Sequence, residues 1–136
     1  MLPVRVLLDS NFLMIPMELH IDVLEKIQNL LGKRVEFILI KPVHEELRTL
    51  STRRSKVARQ AAYALELAKR CRTVNVEMKT GESTDDAIAR VAKDTGTIVA
   101  TTDLELKAKL RNINVPVIYL RERSRLEVDG IEPEYV

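Results

Sequence analysis

The sequence predicts a single α/β domain built on a mostly parallel sheet with helices on both faces. Three observations carry this prediction. Short apolar runs read as strands, helical patterns alternate with them, and glycines stand where two of those helical patterns stop. At 136 residues, 46% of them hydrophobic, the chain suits one domain with a substantial core.

Val4-Arg5-Val6-Leu7-Leu8 is the first such run and reads as a buried strand. Leu24, Ile27, Leu30 and Leu31 then share a helical face from Ile21 to Leu31, with Gly32 at the stop. Val35 to Ile40 is the second strand. Pro42 suits the first turn of the next helix, whose Val43, Leu47 and Leu50 recur at i, i+4 and i+7. A long Ala/Leu/Arg-rich helix covers Arg53 to Cys71, and Thr73 to Glu77 reads as a short strand. After the loop Thr80-Gly81-Glu82-Ser83, a helix runs from Thr84 to Thr95 and stops at Gly96. Thr97 to Thr101 is a strand, a helix follows to Asn112, and Pro116 to Leu120 is the last strand. Residues 122–136 read as a charged tail, which leaves 1–121 as the domain.

Several classes are excluded. No apolar run reaches the roughly 18 residues of a membrane span, and the N-terminal run lacks the layout of a secretory signal. Cys71 is the single cysteine, so neither a disulfide framework nor a thiolate metal site is expected. A cytoplasmic protein is the expectation. Four glycines and no Gly-rich phosphate loop argue against an NTPase.

The net charge of +2 conceals a segregation. From Arg48 to Arg72 eight Lys/Arg, including Arg53, Arg54 and Lys56, face one acid, Glu66, a local charge of +7. A basic track for a polyanion beside an acidic pocket for a cation fits this layout, and so does a solvated helix face.

Asp9 follows the first strand directly and Asp103 follows the Thr97–Thr101 strand, so both lie on the carboxyl edge of the sheet, where doubly wound sheets place their sites. Each has an alternative role as a helix N-cap, and Thr102-x-x-Glu105 has the form of a capping box. Helix geometry selects two more acids. At about 100° per residue, Glu46 lies roughly 70° from the centre of the Val43/Leu47/Leu50 stripe and Glu45 about 170° away. Asp85 lies roughly 70–80° from the Ile88/Val91/Ala92 stripe, whereas Asp86 is nearly opposite and has a role as partner of a Ser83 cap. Four converging carboxylates repel, and a hard divalent cation, Mg²⁺ or Mn²⁺, resolves the repulsion. Water held on such an ion attacks phosphodiesters. His20 and His44 lack metal-ligand spacing and read as surface residues; Cys71 reads as a partly buried apolar residue.

Leu-Leu-Asp9-Ser-Asn-Phe-Leu, Pro-Val-His-Glu-Glu46-Leu, Thr-Asp85-Asp-Ala-Ile-Ala and Ile-Val-Ala-Thr-Thr-Asp103 resemble, in order, the four acidic motifs of PIN-domain nucleases. The resemblance covers almost the whole chain. It is nearer to the small-subunit rRNA-processing type and its archaeal relatives than to the VapC-type toxins. It implies a sheet of about five strands and a Mg²⁺- or Mn²⁺-dependent endoribonuclease acting on single-stranded RNA, with pre-rRNA as a substrate and homodimerisation as a frequent state. The implied ligands are Asp9, Glu46, Asp85 and Asp103. Ser10, Asn11 and Thr102 stand beside them as polar or phosphate-contacting groups. Where relatives carry Asp two residues after the last acid, this chain has Glu105, a weaker metal ligand that competes with its capping role. Leu104, facing away from the Leu106/Leu110/Ile113 stripe, is the dimer contact this reading suggests.

Phosphatases of the haloacid-dehalogenase type require a second Asp where Asn11 stands, and receiver domains require paired acids after the first strand and a Lys after the last. Two alternatives stay open: a silent RNA-binding or scaffold module of ribosome assembly, and a toxin-type ribonuclease with an antitoxin partner.

Overall fold

In the computed structural model, which describes residues 3–19, 22–122 and 125–131, strands and helices alternate as the hydrophobic pattern dictates. The order is β1 (Val4–Leu8), α1 (Ser10–Leu19), α2 (Val23–Leu31), β2 (Val35–Ile40), α3 (Lys41–Ser51), α4 (Lys56–Ala68), β3 (Arg72–Val74), α5 (Thr84–Thr95), β4 (Ile98–Ala100), α6 (Leu104–Asn112), β5 (Val117–Arg121) and β6 (Arg125–Asp129).

Six strands form one sheet of order β3-β2-β1-β4-β5-β6. β1 to β5 are parallel, and β6 adds antiparallel to β5, with Leu120 opposite Leu126. β1 is central, and Leu7 lies opposite Ile38 on one side and Val99 on the other. Helices on both faces explain the unbroken apolar runs: Val6, Leu7, Leu8, Val99 and Ala100 are all fully buried. Right-handed crossovers run one way through β1, β2 and β3 and the other way through β4 and β5, which sends the connecting helices to opposite faces. α1, α3 and α4 accordingly pack on one another, while α5 packs on α6.

The strand order reverses between the parallel strands β1 and β4, so a crevice opens at their adjacent carboxyl ends. The helices that meet it have well-defined starts. Ser83 and Asp86 close a capping box on α5, as the sequence predicts, and Gly96 ends that helix in the left-handed conformation, φ +63°. Pro42 stands in the first turn of α3.

The structure adds to or alters the sequence reading at three places. The residues after Asp9, which carry no apolar period, form α1 despite Pro16. The long basic helix is shorter than predicted, because Ser55 caps it by accepting from the Ala58 N–H, which leaves Arg53 and Arg54 in the turn before α4. The segment read as a charged tail supplies β6, so the sheet has six strands where about five were expected. Its Asp129 meets Lys107 and Arg111 of α6 at 3.8 and 3.5 Å. Residues 123, 124 and 132–136 of that segment lie outside the described residues, as does His20. Among the described residues no helix is long and apolar enough to cross a membrane.

Candidate active site

Asp9 ends β1 where the backbone passes into α1. Its N–H donates to the Ala100 carbonyl of β4 at 3.0 Å, so sheet pairing itself fixes its position. The side chain is only 4% exposed. The Thr101 hydroxyl donates to Asp9 Oδ2 at 2.8 Å, and the Ser10 N–H also donates to the carboxylate. Those bonds favour the charged form, yet burial wins. With Asp85 and Glu46 adding their negative charge, the Asp9 carboxyl is pushed up to about 6 from its usual 3.8.

Glu46, in the second turn of α3, is solvent-exposed but is anchored by the buried Ser10, whose hydroxyl donates to Glu46 Oε1 at 3.0 Å. That contact joins α1 to α3. Glu45, one position earlier, lines an outer cleft with Arg48, Thr49 and Thr52, on a different face from Glu46. Asp85 occupies the first turn of α5 and is half-buried. Its carboxyl is also raised, first by burial and then by the charge of Asp103, with Glu46 and Asp86 adding and Lys109 opposing. Asp103 caps α6, accepting from the Glu105 and Leu106 N–H groups through Oδ1 at 2.9 and 3.2 Å. The cap of α6 is thus Asp103 rather than Thr102, and Glu105 sits in the first turn as an exposed residue.

The four acids selected from the sequence therefore lie at one edge and share one electrostatic field, Asp9 sensing Asp85 and Glu46, and Asp85 sensing Asp103 and Glu46. They are not drawn into a tight cluster. Among the described residues no three His, Cys, Asp or Glu side chains stand close enough to hold one ion together. Asp103 is turned to its own helix and Glu46 to Ser10, which keeps like charges apart.

Of the polar neighbours, Ser10 is in contact with the acids and Asn11 is exposed at the start of α1. Thr102 lines a shallow cleft of about 330 Å³ with Asp103, Leu104, Lys107 and Tyr119, where Lys107 lies 3.9 Å above the Tyr119 ring. Leu104 is 77% exposed, as its position off the helix stripe predicts. Arg53, Arg54 and Lys56 are exposed around the turn between α3 and α4. His44 is half-buried on α3, and burial pushes the Cys71 thiol up to about 11, an inert group.

Sequence reasoning missed three residues of the site. Thr101, 1% exposed, donates to Asp9 and accepts from the Asp103 N–H at 3.0 Å, so one hydroxyl joins two acids. It directly follows β4, where a β-branched residue carries no sign of its partner 92 positions away. Lys109 pairs with Asp86 across α5 and α6. Arg90 holds both Glu82 oxygens at 2.8 Å and the Glu77 carbonyl at 3.0 Å, fixing the loop that delivers Asp85. Nothing in the local sequence marks either long-range pair.

Comparison with known proteins follows the same lines. A family model described as a PIN like domain matches residues 6–123. Ribonuclease VapC4 of Methanocaldococcus jannaschii is 33% identical over 129 residues, 93% of this chain and 98% of that protein. Ribonuclease VapC9 of Archaeoglobus fulgidus is 30% identical over 125 residues, 91% and 88%. Among solved structures, the PIN domain endonuclease Utp24 superposes with a TM-score of 0.79 at 25% identity, covering 95% of this chain and 93% of that one.

Proposed function

The chain belongs to the PIN-like domain family, and from that premise we propose that it is a Mg²⁺- or Mn²⁺-dependent endoribonuclease that hydrolyses phosphodiester bonds of single-stranded RNA, with rRNA processing as its role. Relatives named as ribonucleases and the likeness to an endonuclease support the nuclease class. One observation carries the assignment to this edge: Asp9 is buried at the end of β1 beside Asp85 and Glu46, and burial, with their charge adding to it, raises its carboxyl to about 6. Folding alone gains nothing from that arrangement, and such perturbed groups concentrate at functional sites.

The donor chemistry fits a hard cation. Asp9, Glu46, Asp85 and Asp103 would hold it with oxygen alone, and Glu105 stands one helical residue beyond Leu104 as a weaker ligand. A bound divalent ion supplies an activated water and offsets charge on the phosphoryl oxygens. This chain's own residues do the rest. Thr101 fixes the rotation of the Asp9 carboxylate, and Ser10 holds Glu46 toward the same edge. Burial of Asp9 excludes water from one side of the site, so its charge is poorly screened. Arg53, Arg54 and Lys56, with Asn11 and Thr102 nearer the acids, would contact the sugar-phosphate backbone, which supplies affinity without specifying sequence.

The test is cleavage of a labelled single-stranded RNA carrying rRNA-like loops, with Mn²⁺, Mg²⁺ or EDTA, beside Asp9→Asn. Metal-dependent cutting lost in the variant supports the reading. Cutting that persists in Asp9→Asn assigns the activity elsewhere, and equal RNA binding without cutting by either protein favours a scaffold module. A toxin-type role is favoured by the names of the two curated relatives. Growth arrest on expression, relieved by Asp9→Asn, would select it over rRNA processing.

A further inference from the structure

Two neighbouring helices deliver two of the four acids, and an ion pair outside the acid set ties these helices together. Asp85 lies in the first turn of α5, and Asp103 caps α6. Next to Asp85, Asp86 accepts from Lys109 of α6, 23 residues away in sequence. Asp86 is itself fixed in place. It accepts from the Ser83 N–H at 3.4 Å, and its own N–H donates to the Ser83 hydroxyl at 3.1 Å, closing the cap of α5. Lys109 is thus tied to the rigid first turn that carries Asp85, while its own helix is the one Asp103 begins. α5 and α6 otherwise touch only sparsely.

We propose that the Lys109–Asp86 pair is a strut that sets the separation of Asp85 and Asp103, making both partners positioning residues for a divalent cation. This rests on the metal-dependent reading above. Neither residue needs to touch the ion.

Charge and position predict opposite signs for one partner, which makes the strut separable from a simple electrostatic role. By charge alone, Lys109 opposes a cation at this edge, so its removal tightens metal binding, whereas removal of the Asp86 charge weakens it. If the pair works as a strut, loss of either partner frees α5 from α6 and weakens binding. An exposed pair contributes little to global stability, so the site moves while the fold does not.

The experiment is calorimetric titration of Mn²⁺ alone into the wild-type chain, Lys109→Met, Asp86→Asn and Lys109→Arg, with the unfolding temperature of each. Both neutralisations are expected to weaken Mn²⁺ binding about threefold to tenfold, the scale of coupling between groups in contact. Lys109→Arg is expected to retain it to within about twofold, with unfolding temperatures close to wild type. Tighter binding by Lys109→Met overturns the strut and leaves the metal reading standing. A Lys109→Arg chain that binds no better than Lys109→Met overturns it as well. A wild-type chain that binds no Mn²⁺ overturns both.

Discussion

Replacing Asp9 by Asn is expected to stabilise the metal-free protein above pH 6, by an amount that the site's geometry sets. The Asp9 carboxyl stands at about 6 in the folded chain against an ordinary 3.8. Because the folded value is the higher one, the stability tied to this group is fully present below about 3.8 and is lost as pH rises through about 6. At roughly 1.4 kcal/mol per pH unit, keeping the buried carboxylate charged costs about 3 kcal/mol at pH 8. Solvent does not relieve this cost, because the side chain is 4% exposed. Asn is isosteric and uncharged, but it has one acceptor oxygen where the carboxylate, which accepts from Thr101 through Oδ2 and from the Ser10 N–H, has two. The loss of one acceptor oxygen and of charge-assisted bonding is a mismatch worth about 1 kcal/mol. A net gain of about 2 kcal/mol at pH 8 remains, shrinking below zero by pH 4, where only the mismatch is left. Urea denaturation in EDTA at pH 4, 6 and 8, followed by far-UV circular dichroism, measures it. A difference between the proteins that does not change with pH, or that favours wild type more at pH 8 than at pH 4, would refute the reasoning.

Thr101→Val keeps the shape of a buried residue but removes the bond to Asp9 and the acceptor for the Asp103 N–H. It is expected to lose about 1–3 kcal/mol, with the larger loss at pH 8, where Asp9 is charged, in the same denaturation series. Its RNA cleavage is expected to fall at every metal concentration, a loss that excess Mn²⁺ restoring full rate would contradict. Arg53→Ala/Arg54→Ala is expected to weaken binding of single-stranded RNA and to lower the slope of log K against log salt by about 1.4, two phosphate contacts at roughly 0.7 each. Filter binding from 50 to 300 mM salt reads that slope, and an unchanged slope would remove these two residues from the RNA track.

The sheet was legible because its strands are buried on both faces and therefore apolar without a break, as at Val6-Leu7-Leu8 and Ile98-Val99-Ala100. α5 was legible to the residue because a capping box and a left-handed glycine mark its two ends. α1 was hidden by the opposite circumstance. Phe12, Leu13 and Ile15 are all buried, so no polar face sets a 3.6-residue rhythm, and Pro16 lies inside the helix. β6 was hidden because an edge strand beside charged helix residues can itself be charged, as Arg125, Glu127 and Asp129 are. At the site, the angular argument separated Glu46 from Glu45: Ser10 reaches Glu46, and Glu45 lines another face. It could not find Thr101, since a hydroxyl at the end of an apolar strand looks like any β-branched residue until its partner 92 positions away is known.

The placement of Asp9 explains why so much of the surrounding chain is ordered around it. A carboxylate at the end of a central strand cannot swing toward solvent, because its own N–H is tied to Ala100 and its oxygens to Thr101 and Ser10. Asp85 approaches from the first turn of α5, capped by Ser83 and Asp86, Asp103 is itself the cap of α6, and Glu46 stands in the second turn of α3, so the acids relax their repulsion little by moving the backbone. What freedom remains lies in side-chain torsions, and those already point Glu46 to Ser10 and Asp103 to the N–H groups of α6. A cation arriving at this edge would have to compete for both carboxylates with partners they already have. Metal binding is then expected to be weaker than four acids suggest, to tighten as pH rises through 6 and Asp9 ionises, and to couple to the Ser10–Glu46 contact and the first turn of α6 more than to the rest of the fold.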